Sequence, residues 1–340
     1  VEIASENIYP QCKVYRRTTV LVDISPTASY VVDLFRVEGG QEHHFSFHGP
    51  EGAVSTEGLD LIPQRRGTYA GEDVPFGEFS DEPFSTNYRG SGFQYLYNVQ
   101  RCAAPKPAIS MDCQVRDTWR VLPESYAAAK GAKNHEETRE KSSAELGVLR
   151  GSIRDPKHVL SEAEGSEIRN RSAGGSIRNP QSAIPNGMAD VHLHWTMLDP
   201  PGEVALCDGD PPQNKPGNPR QLKYAMVHSE GAPASTGFLS VIESYQGESA
   251  IQSIEPVPVA PDDEPGTHLK ARALKITLVG GRTDYLMFSL DPDRMRRIEG
   301  CIAFRGSFGF YSEVEDRFRG AFLINGTRIG PDQSPLRMER

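Results

Sequence analysis

The chain has 340 residues, 37% of them apolar, with 32 glycines, 26 prolines and a formal net charge of −9. So many helix breakers exclude a helical bundle and favour a sheet protein rich in turns. The acidic balance argues against nucleic acid as a partner, which would need clustered Lys and Arg, and no apolar run reaches the roughly 18 residues that a membrane-crossing helix needs.

The chain begins at Val1 and shows no signal peptide, which reads as a processed chain or as a piece of a longer one. From Val14 to His48 the sequence reads as three strands. Val14–Asp23 alternates, Tyr30–Val37 is a near-continuous apolar run ending in Gly39 and Gly40, and His43–His48 returns. Side chains alternate along a strand, so His43, Phe45 and Phe47 are expected on a core face and His44, Ser46 and His48 on a wet one. Residues 50–90 are rich in Gly and Pro and read as a long loop with short strands. Gly92–Val99 and Ile109–Val121 read as an antiparallel pair joined across Ala103–Pro107. In the second of these, Met111, Cys113 and Val115 face one way and Asp112, Gln114 and Arg116 the other.

Residues 126–186 differ from the rest. Ala127–Leu149 has helical propensity without an apolar stripe. Gly151-Ser152-Ile153-Arg154-Asp155-Pro156 then recurs as Gly175-Ser176-Ile177-Arg178-Asn179-Pro180, with a degenerate copy at Gly165–Asn170. One large apolar residue per copy cannot build a stacked core, so this is expected to be a mobile, low-complexity insertion. Strands resume with Asp190, His192 and His194 alternating against Val191, Leu193 and Trp195. Further strands follow at 222–228, 237–245, 268–279, 283–290 and 301–311, and Phe322–Ile324 leads to a hairpin signal at Asn325-Gly326. The expected architecture is an all-β, large antiparallel sandwich, with 1–125 as its first part, 126–186 inserted and 187–340 as the remainder. The cysteines Cys12, Cys102, Cys113, Cys207 and Cys301 contain no C-x-x-C pair. They read as buried free thiols, with a Cys102–Cys113 bridge as the alternative.

Several phrases carry a resemblance. Arg16-Arg17-Thr18 before a strand, Val31-Val32-Asp33 with Phe35-Arg36-Val37, and His44–His48 are similar to the C-terminal β region of heparinase II/III-like polysaccharide lyases. Ser240–Tyr245 with Gly247 and Ile251, and Thr283-Asp284-Tyr285 after a Gly-Gly turn, continue it. The resemblance covers most of the chain outside 126–186. It implies the sandwich portion of an enzyme that cleaves acidic, uronate-containing polysaccharide by β-elimination, in a periplasmic or secreted setting. It also implies an N-terminal α/α toroid of the same longer protein as partner, with the catalytic Tyr and His on it. The family's metal motifs do not occur here, so a divalent metal is implied for the full-length member only. The chain alone is expected to be inactive.

Candidate contacts follow. The resemblance places His48, with His44, near the cleft between sandwich and toroid. Arg16 and Arg17 could hold a sugar carboxylate or sulfate through paired N–H donors, or pair with a strand-face carboxylate such as Asp33. Tyr88 is an acid/base candidate that an exposed loop more commonly uses for packing. Two histidine pairs, His44 with His48 and His192 with His194, would form a metal site if they met, with Asp190 or Glu42 as carboxylate ligand. That pattern belongs to a different class, a cupin-like metal enzyme. A third reading is a non-catalytic carbohydrate-binding or structural module. No phosphate loop or nucleophile elbow is present.

Overall fold

Alternation of apolar and polar side chains, punctuated by Gly and Asn turns, produces strands almost throughout. A computed structural model of the chain describes residues 1–5, 9–77, 92–116, 188–211, 218–231, 235–261, 267–331 and 336–337. The strands are β1 (Glu2–Ala4), β2 (Cys12–Ser25), β3 (Ala28–Gly39), β4 (Glu42–His48), β5 (Gly52–Glu57), β6 (Ile62–Pro63), β7 (Leu96–Cys102) and β8 (Ala108–Arg116). After them come β9 (Met188–Leu198), β10 (Glu203–Gly209), β11 (Leu222–Glu230), β12 (Ser235–Gln246), β13 (Ile251–Pro256), β14 (Val259–Ala260) and β15 (Ala271–Leu278). The last are β16 (Arg282–Ser289), β17 (Arg296–Ile298), β18 (Ile302–Arg305), β19 (Phe308–Val314), β20 (Arg317–Ile324), β21 (Arg328–Pro331) and β22 (Leu336–Arg337). Helix among the described residues is confined to α1 (Thr267–Lys270) and the 3₁₀ turn Phe93–Tyr95.

These strands form four antiparallel sheets. Sheet I has the order β4-β11-β10-β7-β6, sheet II β1-β2-β3-β12-β9-β8-β5, sheet III β13-β15-β16-β19-β20, and sheet IV β14-β17-β18-β21-β22. Three cores stack them in the order I, II, III, IV. Phe45, Val204 and Val227 of sheet I pack on Met111, Trp195 and Phe238 of sheet II. The other face of sheet II presents Tyr30, Val32, Leu34, Leu239 and Val241 to Leu274, Ile276, Leu286 and Phe288 of sheet III. Tyr285 and Met287, the alternate residues of β16, turn to Ile298, Phe304 and Ile329 of sheet IV. Each such side chain contributes about 1.5–3 kcal/mol when fully buried. The all-β antiparallel expectation therefore holds, extended from two layers to four. Burial on both faces of sheet II explains the unbroken apolar run of β3, a pattern more usual in parallel sheets.

One polar clamp joins sheets II and III. The Tyr30 hydroxyl donates to Asp284 Oδ2 at 2.8 Å, and Arg282 Nε donates to Asp284 Oδ1 at 2.8 Å. Arg282 Nη1 also donates to the Asp23 carbonyl at 3.0 Å. Burial and the adjacent Asp284 charge push the Tyr30 phenol far above its ordinary value. Asp284 is fully buried, and both of its carboxylate oxygens are hydrogen-bonded, as burial of a polar group requires.

Three expectations about connectivity are corrected. The strand His43–His48 does not return along β3. Gly39 has φ +112, and a Cβ there would meet the Gln11 carbonyl oxygen at 2.0 Å, so the chain turns out of sheet II and β4 pairs with β11 in sheet I. β7 and β8 are likewise no hairpin, since β7 pairs with β10 and β8 with β9. The Asn325-Gly326 turn carries the chain from β20 in sheet III to β21 in sheet IV. A hairpin of two left-handed residues occurs instead at Glu315-Asp316, with φ 49 and 60, between β19 and β20. All five cysteines are free, with Cys102, Cys113 and Cys207 buried.

The chain divides into Val1–Arg116 with Met188–Arg340, and Asp117–Gly187. The predicted insertion 126–186 and Tyr88 lie outside the described residues. Arg116 and Met188 are direct partners across the β8–β9 ladder, so the chain between them leaves and re-enters sheet II at adjacent positions. No helix among the described residues is long and apolar enough to cross a membrane.

Candidate functional site

The outer face of sheet I carries a cleft of about 970 Å³, lined in part by Glu42, His44, Tyr69, Phe93, Arg101 and His228. Its floor follows from strand register. His44 on β4 stands directly opposite His228 on β11, and Glu42 stands opposite Glu230. Residues two apart share a face, so these four side chains rise from one patch. The two imidazoles stack with centroids 4.2 Å apart and planes 2° from parallel. Glu42 Oε2 lies 3.2 Å from His228 Nε2 and 3.7 Å from His44 Nε2, and Glu230 Oε1 lies 3.6 Å from His228 Nε2.

The walls hold this floor in place. His44 Nδ1 is 2.9 Å from the Tyr69 hydroxyl, and Tyr69 and Phe93 pack on the His44 ring at 5.7 and 4.7 Å. Arg101 anchors the Tyr69 loop: its Nη2 donates to the Tyr69 carbonyl at 3.0 Å, its Nε to Gln64 at 2.8 Å, and its Nη1 pairs with Glu203. The same guanidinium sits 5.1 Å above the Tyr69 ring. Burial, reinforced by the neighbouring His228, lowers the His44 pKa against the pull of Glu42. His44 is therefore neutral near pH 7 with a basic nitrogen to offer. Burial pushes the Tyr69 phenol well above its ordinary value, so it remains a hydrogen-bond donor or acceptor and not a base.

The other predicted residues fall elsewhere. His48, at the far end of β4, is exposed and lies beside Tyr224, with ring centroids 5.0 Å apart. His43 is buried as expected, within 2.9 Å of Thr236 Oγ1 and 2.6 Å of the Gly39 carbonyl. Arg17 makes a two-pronged pair with Asp33 at 2.8 and 2.9 Å, and Arg16 donates to Glu2 at 3.3 Å, so both guanidinium groups of β2 are engaged within the chain. His192 and His194 lie in sheet II, not with His44 and His48 in sheet I, so the four histidines do not form one centre. Instead, Asp112 accepts from both: His192 Nδ1 at 2.7 Å and His194 Nδ1 at 3.3 Å. Tyr245 stacks on His192 at 4.9 Å and donates to Asp112 at 3.3 Å, its phenol pushed up to about 12 by burial and then by the Asp112 charge. Asp190 Oδ1 is 3.8 Å from His192 Nε2.

Sequence reasoning passed over Tyr69, Phe93, Arg101, Glu230 and His228 of this cleft, and of these His228 completes the histidine pair. It stands alone on its strand, more than a hundred residues from His44 in sequence, and only the β4–β11 register brings the two together. Its single local signal is Glu230 two positions on, which repeats in reverse the Glu42–His44 spacing. No family model and no curated protein sequence matches the chain.

Proposed function

We propose that this chain is the β-sandwich portion of a polysaccharide lyase of the heparinase II/III-like kind, acting on an acidic, uronate-containing polymer through the cleft over sheet I. The observation that carries the reading is the lining of that cleft, in which the aromatic rings of Tyr69 and Phe93 flank a neutral, basic His44. Aromatic faces stack on sugar rings, and a neutral imidazole can accept a proton from the carbon beside a carboxylate. β-Elimination also needs a group that neutralises the carboxylate. Arg101 is committed to Glu203, Gln64 and the Tyr69 carbonyl, so that role falls to a partner such as the expected toroid. The chain alone then binds saccharide without cleaving it. The same commitment of Arg101 favours, as a second reading, a purely carbohydrate-binding module. A periplasmic or secreted location accompanies either reading.

The test is electrophoresis of the chain through gels containing heparan sulfate, alginate, hyaluronan or chondroitin, beside an absorbance assay for unsaturated uronate. The expected result is retardation by at least one polymer, relieved by Phe93→Ala, with no turnover. Retardation by none of the four rejects the reading. Turnover abolished by His48→Ala would move the chemistry to the other end of β4.

A further inference from the structure

We propose that Glu42, His44 and His228 form a binding site for a divalent transition metal, with Glu230 beside it. This goes beyond the saccharide reading and does not depend on it, although an ion on His44 Nε2 would take the lone pair that the lyase reading uses as base, so that role belongs to the metal-free site. The ligand atoms of the three residues all lie within 4.8 Å of one another. They come from facing rungs of one two-stranded ladder, so the backbone fixes their spacing. One carboxylate oxygen of Glu42 faces the Nε2 atoms of both rings, which is the place an ion would take.

The proton inventory agrees. His44 Nδ1 lies 2.9 Å from the Tyr69 hydroxyl, and in the tautomer in which it donates there the lone pair of the ring sits on Nε2, free for an ion. An outer partner on the second ring nitrogen is how metal-binding histidines are usually oriented. The charge inventory agrees as well. Among the described residues, Glu42 and Glu230 have ion-pair contacts only with His44 and His228. Two carboxylates thus face the imidazole pair at the floor of an open cleft.

Two imidazole nitrogens and a carboxylate suit Zn²⁺, Co²⁺, Ni²⁺ or Fe²⁺ better than Mg²⁺ or Ca²⁺, which prefer all-oxygen sites. A tetrahedral ion with bonds of about 2.0–2.1 Å sets neighbouring ligand atoms about 3.3 Å apart. Binding therefore requires the stacked rings to splay and Glu42, which is largely exposed, to draw back and leave room for the ion between its carboxylate and the two Nε2 atoms. The remaining positions face the cleft and are open to water or to an anionic ligand.

The experiment is calorimetric titration of tag-free, chelator-stripped full chain with Zn²⁺, alongside Co²⁺ titration followed by visible absorption. One equivalent is expected to bind, with an absorption spectrum typical of low-coordinate Co²⁺ carrying nitrogen ligands. His44→Ala and His228→Ala should each weaken binding at least about 100-fold, and Glu42→Gln about tenfold. His192→Ala should leave it unchanged, and excess Mg²⁺ should not compete. Thermal melts guard against misfolding, since Zn²⁺ should raise the Tm of the wild type and not of a folded His228→Ala variant. Absence of saturable binding by the folded wild type overturns the proposal, as does binding that survives both histidine substitutions. No saccharide enters this assay, so its failure leaves the polysaccharide reading standing, and the gel assay can fail without touching the metal site.

Discussion

Two histidine pairs occupy two sheets and are built in opposite ways. His192 and His194 are neighbours on one face of a single strand, roughly 7 Å apart along it. That is too far for the rings to touch, so a third group fills the gap: Asp112, whose carboxylate meets both Nδ1 atoms. His44 and His228 sit opposite each other on adjacent strands, closer together, and their rings stack directly. The first pair is tied inward by its Nδ1 atoms to a half-buried acceptor. Among the described residues the second has only one Nδ1 tied, to Tyr69, and turns both Nε2 edges toward exposed carboxylates. A histidine pair visible as H-x-H in sequence is thus the locked one, and the pair created by register is the one with donor atoms to spare.

This contrast predicts unequal sensitivity to losing the carboxylate. Asp112→Ala leaves two imidazoles and the Tyr245 hydroxyl without their shared acceptor, and should cost about 3 kcal/mol in urea unfolding. Glu42→Ala removes an exposed group and should stay within about 0.5 kcal/mol. Equal losses at the two sites would break the comparison. Next in size is Tyr69→Phe, which strips the hydrogen-bond partner from His44 Nδ1. It should cost about 1 kcal/mol and weaken Zn²⁺ binding about tenfold, whereas Tyr245→Phe should leave Zn²⁺ binding untouched.

A smaller effect appears in pH. The folded state holds His44 below its ordinary pKa, so the unfolded chain takes up a proton first as pH falls. The contribution of His44 is therefore present above about pH 6.5 and lost as pH drops through the lowered folded value. His44→Gln should flatten that part of the curve of Tm against pH, and an unchanged curve would show that burial does not control this ring. The smallest effect is expected from replacing residues 117–187 with a short Gly/Ser linker. Because Arg116 and Met188 are already paired, Tm should shift by less than about 3 °C. A larger loss would mean that the β8–β9 ladder, and with it the Asp112 network, depends on the intervening chain.

Strand existence was legible wherever alternation or an apolar run was strong, as in β2, β3, β9 and β12, because burial of one or both faces writes itself into residue order. Facing was legible too: His43 and Phe45 are buried, while His44 and His48 are not. Pairing was not. The β4–β11 and β7–β10 partnerships join segments more than a hundred residues apart, and nothing local distinguishes a strand that returns to its predecessor from one that crosses to another sheet. The candidate site suffered most from this, since sequence named His44 and Glu42 as candidate ligands but paired them with His48, whereas the partner they meet, His228, is supplied only by the register of β11. Arg17 and Asp33 were readable as a pair because the β2–β3 hairpin sets them two register positions apart on one face, with Asp33 opposite Thr19 and Arg17 opposite Phe35.

The Tyr30–Asp284 hydrogen bond joins positions 254 residues apart and sits between two apolar sheet faces. During synthesis, sheet II must wait with its inner face uncovered until β15 and β16 have emerged. Contacts of such long sequence separation slow folding and lengthen exposure to aggregation. The first 246 residues, which hold every strand of sheets I and II, therefore do not form a separable module. Expressed alone, they would present Val32, Leu34 and Val241 to water and leave the Tyr30 hydroxyl without its acceptor. Any shortened version intended to carry the cleft by itself needs the later sheets as a lid on its back.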